Sequence, residues 1–399
     1  MNILIINAGS SSIKFQLMDV DSEETKIKGL VQRINQDNPE ISWKIRKEKS
    51  KKKINIEDHR GGLKEVLDLL VDKENGVLES YDQIDAVGHR YVHGGEKFQD
   101  STLIKDELMK DFEKLNHLAP LHNPNNLAGV RAIKELIPEV PNVAVFDTSF
   151  HSKLPPKAYV YPLPYELYEE KGIRRYGFHG TSHHYVSMEA ADMINKPYEE
   201  AKIITCHMGN GISFSAIDGG HSVDTSLGFS TVCGIPMGTR SGDFDVGLVT
   251  HLIKSEGYSV DEVHEMIYKK SGLLGVSGIS NDARDVEKAA WEEGNERAQL
   301  ALDILHYKAK KYIGSYIAAM NGLDALVFTA GIGENGWESR EAICKDMEYL
   351  GIKLDKEKNR VRGKKADVSK KNSPVRILAI PTNEELMIAK ETKRVVNNL

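Results

Sequence analysis

Cysteine is scarce: Cys206, Cys233 and Cys344 are three in 399 residues, widely spaced and outside any CxxC or Cys/His ligand pattern. Neither a disulfide framework nor a structural zinc site is indicated, and a reducing cytoplasm is the expected compartment. Long apolar runs are missing as well. None approaches the ~18 residues of a membrane helix, and the opening MNILIINAGSSS has no basic stretch ahead of its short apolar segment, so neither membrane insertion nor secretion is expected. Neither sign of charge dominates: 53 Lys+Arg against 59 Asp+Glu leaves a net charge of -6, which gives no field to hold nucleic acid. No GxxxxGK[ST] occurs, and HRD and DFG are absent, which removes Walker-type and protein-kinase phosphate chemistry.

What is present is an ordinary folding composition, 40% hydrophobic and 28% charged. At ~150 residues per domain the length suggests two or three domains. Asn2 to Asn7 is a continuous apolar run ending in a Gly/Ser turn, and Ile13 to Met18 alternates apolar with polar, which predicts two strands joined by a tight turn. Ile203 to Gly220 repeats that pattern half a chain later, with Gly9 and Gly209 in matching places. Two similar halves are one reading and two unrelated hairpins the other. Helix-like stretches at Gly61 to Val71, Pro124 to Leu136 and Glu296 to Met320 alternate with strand-like Asn142 to Asp147, Ala325 to Thr329 and Arg376 to Ile380. An α/β architecture follows. Thr382-x-x-Glu385 predicts a capping box opening a last helix, and Leu154 to Tyr165, rich in proline, predicts a linker. Between Lys44 and Lys53 seven of ten residues are basic; their alternation reads as a solvated hairpin whose charges discourage edge pairing.

Several glycine-rich turns follow apolar strands, the way α/β proteins present backbone N–H groups to phosphate. Gly331-Ile332-Gly333-Glu334-Asn335-Gly336 literally matches GxGxxG and has Asp355 about 20 residues on, as a dinucleotide fold would. Only 44 residues follow Asp355, too few for the rest of such a sheet. His179 and His183 have a metal-like i, i+4 spacing but lack the Glu of HExxH, and Gly180 weakens a helix between them. Asp147 ends a buried-type strand, where either catalysis or a turn cap would place it. Glu384 in a first helical turn has the helix dipole as a sufficient reason. Arg90 and Arg240, flanked by glycine-containing turns, are candidate forks for a carboxylate or phosphate, or surface ion pairs.

The segments NAGSSSIK (from Asn7), GHRYVHGGE (from Gly88), APLHNP (from Ala119), FDTSFH (from Phe146), RRYGFHGTSH (from Arg174), CHMGNG (from Cys206), MGTRSGD (from Met237), SGISND (from Ser277), FTAGIGEN (from Phe328) and PTNEEL (from Pro381) together closely resemble the acetate kinases from end to end. The resemblance implies an α/β fold of two similar ribonuclease-H-like domains, of the actin and hexokinase type, facing a central cleft. It implies an acyl-substrate and phosphate domain at 1–150 plus 383–399 and a nucleotide-binding domain at 151–382. The implied reaction is reversible phosphoryl transfer from ATP to acetate in a cytoplasmic homodimer, with Mg2+, or Mn2+, as metal. Nucleic acid and membrane are not implied partners.

By the same resemblance Asn7 and Glu384 hold the metal, and Ser10, Ser12 and Lys14 lie along the phosphate path. Arg90 grips the substrate carboxylate, and His179 and Arg240 stabilise the transferring group. An ionised acid needs no general base, so we read Asp147 as organising the metal or an arginine. His207, Met208, Gly209, Asn210, Gly211, Asp282, Ala283, Arg284, Ala330, Gly331, Ile332, Gly333 and Glu334 become nucleotide contacts. Val92, Leu121, His122, Phe178 and Thr231 become the acyl pocket. Thr231 departs from the family, which has a methyl-facing proline there, so the preference between acetate and propionate stays open. A non-catalytic, nucleotide-gated binding protein and an NAD-dependent dehydrogenase are the readings from other classes.

Overall fold

The structure, a computed structural model, describes residues 1–398. Those residues form two compact units, 1–152 with 383–398, and Lys153–Thr382.

The first unit is built on an eight-stranded sheet. Its strands are β1 (Asn2–Ala8), β2 (Ser12–Asp19), β3 (Glu24–Gln32), β4 (Glu40–Ile45), β5 (Glu48–Lys53), β6 (Ala86–Tyr91), β7 (Thr102–Leu103) and β8 (Asn142–Phe146), in the order β5-β4-β3-β2-β1-β6-β8-β7. Every residue of β8 is buried, as expected of a parallel strand covered on both faces. The helix His59–Leu70 turns Leu63, Val66, Leu67 and Leu70 onto Leu4, Ile6, Ile13 and Phe15. It starts at Asp58, whose carboxylate accepts from the Gly61 N–H at 2.8 Å. β5 is fully exposed at the sheet's edge, and its lysines make that edge a poor template for another strand.

The second unit has a six-stranded sheet of β9 (Lys202–Met208), β10 (Ile212–Asp218), β11 (His221–Thr225), β12 (Ala325–Thr329), β13 (Ala366–Asp367) and β14 (Arg376–Ala379), in the order β11-β10-β9-β12-β14-β13. In each unit an antiparallel hairpin leads into three parallel strands: β3-β2-β1-β6-β8 in one, β11-β10-β9-β12-β14 in the other. The two glycine turns therefore occupy the same place in the same topology. The long helix Glu296–Met320 begins at Asn295, which accepts from the Ala298 N–H at 3.0 Å, and stops at Asn321 in the left-handed conformation.

Three local expectations are corrected. The N-cap of the last helix, Glu384–Val396, is Asn383, whose side chain accepts from the Leu386 N–H. Thr382 instead gives its hydroxyl to a bond with Ser182 and its N–H to Glu334. The proline-rich stretch is folded, with a short helix Pro156–Tyr159 and the Arg174 guanidinium 3.6 Å from the Tyr159 ring centroid. Gly180 does not break a helix either: Gly180–Met193 is one, and His183 and His184 lie in it.

Candidate active site

In the first unit the chemistry gathers at the carboxyl ends of three adjacent parallel strands, where open α/β sheets bind ligands. Asn7 is the penultimate residue of β1, Arg90 the penultimate residue of β6, and Asp147 follows β8 directly. Arg90 donates from Nε to Asp147 Oδ1 at 3.1 Å and from Nη2 to Oδ2 at 2.6 Å. The carboxylate is almost fully buried, and its charge holds Arg90 firmly protonated. A guanidinium has five N–H donors, so this fork leaves Nη1 and one N–H of Nη2 for a second anion. Burial pushes the Glu384 carboxyl up to about 7, against the opposing pull of Arg90 and Lys14. Lys14 faces Asn7 across the β1–β2 pair, and Ser10 is exposed at the turn closed by Gly9 N–H to the Ser12 carbonyl.

Two asparagines that the motifs passed over hold this end of the sheet. Asn126 donates to the Ala8 carbonyl at 2.8 Å and accepts from the Val92 N–H, tying β1 to the chain after β6. Asn123, wholly buried, accepts from the His93 N–H and donates to the His93 and Leu115 carbonyls. Val92 is half-buried; Leu121 and His122 are exposed.

The second unit supplies a different cradle. Gly211, in the turn between β9 and β10, has no side chain. A Cβ there would stand 3.3 Å from His179 Cε1, 3.4 Å from its Nε2 and 3.6 Å from Arg240 Nη1. His179 has φ +56°, a left-handed conformation that most side chains avoid and that a functional position tolerates. Among the described residues Arg240 has no carboxylate partner; Nη1 donates to the Thr231 carbonyl at 3.2 Å, and burial lowers its affinity for its proton. Its remaining N–H donors are of the kind that can hold an anion. Phe178 is buried beside His179 in sequence, and Thr231 is half-buried.

Next to this cradle a cavity of about 640 Å³ is lined by Gly209, Asn210, Asp282, Ala283, Arg284, Gly331 and Ile332, which three separated motifs contribute. Its size suits a small-molecule ligand. Leu273, Glu287 and Arg362 also line it, and no motif pointed to them. Glu287 lies one helical turn beyond Ala283, so the helical period was the signal available. His207, Met208, Ala330, Gly333 and Glu334 are not on the cavity wall. Met208 is core, His207 bonds Ser182, and Glu334 Oε1 accepts from the Ala330 and Thr382 N–H groups. Behind this loop the fully buried Arg340 spends all five donors on the carbonyls of Gly333, Glu334, Asn359 and Val361 and the Asn359 side chain. It holds the loop from within.

Burial, with Glu338 nearby, pushes Glu287 up to about 7 from an ordinary 4.5. The native state then keeps a proton that the unfolded chain has released, so stability falls as pH rises from about 4.5 and levels off above about 7. Urea unfolding of nucleotide-free protein at pH 5 and pH 8 should show this loss in the parent and a flatter response in Glu287→Gln. An unchanged slope in the variant would assign the effect elsewhere.

A glycine-lined cavity beside an unpaired arginine, and a second arginine forked by a buried aspartate, on two α/β units of one topology, define a phosphotransferase handling small anions. The sequence profile of the Acetokinase family matches residues 2–390. The acetate kinase of Thermoanaerobacter pseudethanolicus is 53% identical over 400 residues, covering 100% of both chains. Among solved structures, Porphyromonas gingivalis acetate kinase aligns with a TM-score of 0.95 at 44% identity, over 99% of each chain. A propionate kinase from Francisella tularensis aligns with a TM-score of 0.90 at 39% identity, again over 99% of each. The chain belongs to the acetokinase family.

Proposed function

We propose that this protein transfers the γ-phosphoryl group of ATP to acetate, reversibly, giving acetyl phosphate and ADP by direct in-line attack. A small aliphatic acid ionises near the ~4.3 of a glutamate side chain, so at pH 7 the acceptor is already a nucleophile and needs no general base. The work left is electrostatic, because acceptor and donor are both anions. The observation that carries the reading is Arg240, half-buried without an acidic partner among the described residues and sharing the space around Gly211 with His179. It offers charge where a transferring phosphoryl group needs it. Arg90 holds the acetate carboxylate with the donors that Asp147 leaves unused, and the cavity beside Gly209 takes the nucleotide, with Asp282 to Arg284 and Gly331 to Ile332 along its walls. Lys14, Ser10 and Ser12 attend the phosphates.

Asn7 and Glu384 suit Mg2+, or Mn2+, because both present hard oxygen donors and a cation beside Glu384 would offset the desolvation of its carboxylate. Held there, the metal would supply positive charge to offset that of the phosphates. We place the protein in the cytoplasm, supported by three thiols that stand unpaired, and no helix among the described residues is long and apolar enough to cross a membrane. Exposed apolar side chains on the second unit, among them Val246, Val260 and Tyr307, support a homodimer.

The test is a hydroxamate assay with ATP, Mg2+ and acetate: acyl phosphate is expected, and its absence with folded protein would refute the activity. A propionate kinase is the second reading, favoured by Thr231 at the methyl-facing position. Its carbonyl braces Arg240, and proline keeps that carbonyl. Thr231→Pro should raise the kcat/KM ratio for acetate over propionate by up to about tenfold, the worth of roughly one methylene. An unmoved ratio would remove Thr231 from selectivity.

A further inference from the structure

Behind His179 lies a line of hydrogen bonds that no residue role so far explains. His179 Nδ1 is 2.7 Å from Ser213 Oγ; the same oxygen is 2.7 Å from His183 Nε2; and His183 Nδ1 is 2.7 Å from Thr205 Oγ1. Ser213, His183 and Thr205 are each wholly buried. Four side chains from the helix Gly180–Met193, its N-cap, and the paired strands β9 and β10 thus meet in one row.

Each hydroxyl has one proton, which limits how the row can be filled. For a neutral His179 to donate from Nε2, its Nδ1 must accept, so the Ser213 proton points at His179. Ser213 Oγ must then accept from His183 Nε2–H, and His183 Nδ1 is left as an acceptor for the Thr205 hydroxyl. In this arrangement the proton in each of the three bonds points toward His179. The reverse filling would leave an Nε2 lone pair on the edge that faces the space around Gly211, where an anion's oxygens would repel it.

We infer that Ser213, His183 and Thr205 are positioning residues for the phosphoryl transfer: they fix His179 in the Nε2–H tautomer and hold its ring toward the cradle at Gly211. The inference rests on the kinase reading and adds to it the reason His179 can act as a donor. His207 stacks on the His179 ring with centroids 4.2 Å apart, and Arg240 Nη1 shares the space around Gly211 with it. Arg240 already supplies positive charge there, so His179 need only donate. His207 is bonded away through Nδ1 to Ser182 Oγ at 2.8 Å.

Ser213→Ala removes the central hydroxyl, and Thr205→Val removes the far one, while Thr205→Ser keeps it. In Ser213→Ala we expect kcat to fall about 10–100-fold, the usual effect of losing an orienting partner, with KM for ATP and acetate within about twofold of the parent. Thr205→Val should move in the same direction, and Thr205→Ser should stay near the parent. Nitrogen-15 NMR of labelled imidazoles should show His179 as a neutral Nε2–H ring in the parent and as mixed tautomers in Ser213→Ala. Were Ser213→Ala to misfold, Thr205→Val gives the same two readouts. An imidazolium or an Nδ1–H ring in the parent overturns the assignment, as does a kcat within twofold of the parent in both Ser213→Ala and Thr205→Val, or a loss carried only by KM. A parent that makes no acyl phosphate would refute the kinase reading instead, and the imidazole spectra would still decide the tautomer.

Discussion

Replacing Arg240 with alanine should lower kcat about 10³-fold, with little change in melting temperature. Removing one preorganised donor from a site of developing charge costs on the order of 10²–10³, and an arginine acting on a phosphoryl group sits at or above that range. Stability should hold because the side chain has one hydrogen bond to a backbone oxygen and a weak contact with Met237 Sδ, and no buried carboxylate loses a partner when it goes. Steady-state assays of acetyl phosphate formation, with unfolding followed in parallel, separate the two effects. Turnover near the parent's would end Arg240's role in transfer; a fall in kcat matched by a collapse in melting temperature would make the arginine a structural brace.

Arg90 should behave in the opposite way. In Arg90→Met the Asp147 carboxylate, 3% exposed, is left buried without its counter-ion. Breaking such a pair from one side costs about 3–5 kcal/mol. The variant should also raise KM for acetate by roughly 10–100-fold, because a hydrogen bond to a charged group is worth about 1.5–3 kcal/mol. Arg90→Met combined with Asp147→Asn should recover a large part of the lost stability, since no isolated charge remains, and none of the affinity. Denaturant unfolding and acetate titration measure both. If the double variant were as unstable as the single one, the ion pair would not be the source of the loss; an unaltered KM would take Arg90 out of acetate binding.

Much of this was written in local patterns. Apolar strands ending in glycine turns at Gly9 and Gly209 announced two like units, and the recurrence of hairpin-then-parallel topology bears that out, because strand period and turn chemistry act over a few residues. The helix Glu296–Met320 was legible to the residue for the same reason: an unbroken apolar period and an Asn-Gly stop leave little for tertiary packing to alter. Cap geometry was not. Thr382 and Asn383 can both open a helix by type, and what set Asn383 there was that Thr382 has partners in Ser182 and Glu334, residues 200 and 48 positions away.

Residue types alone thus determined the α/β class, the paired units and the identity of nearly all the motif residues. Tertiary structure alone decided what those residues are bonded to. Glu334 looks like a ligand contact and is a brace, Glu287 and Arg362 look like surface charges and line the cavity, and Ser213 looks like an ordinary strand serine and stands between two histidines. The reason is distance along the chain. Propensity and periodicity couple near neighbours, whereas a buried polar atom must find its partner wherever the fold brings one, so its role is set only once the strands and helices are packed.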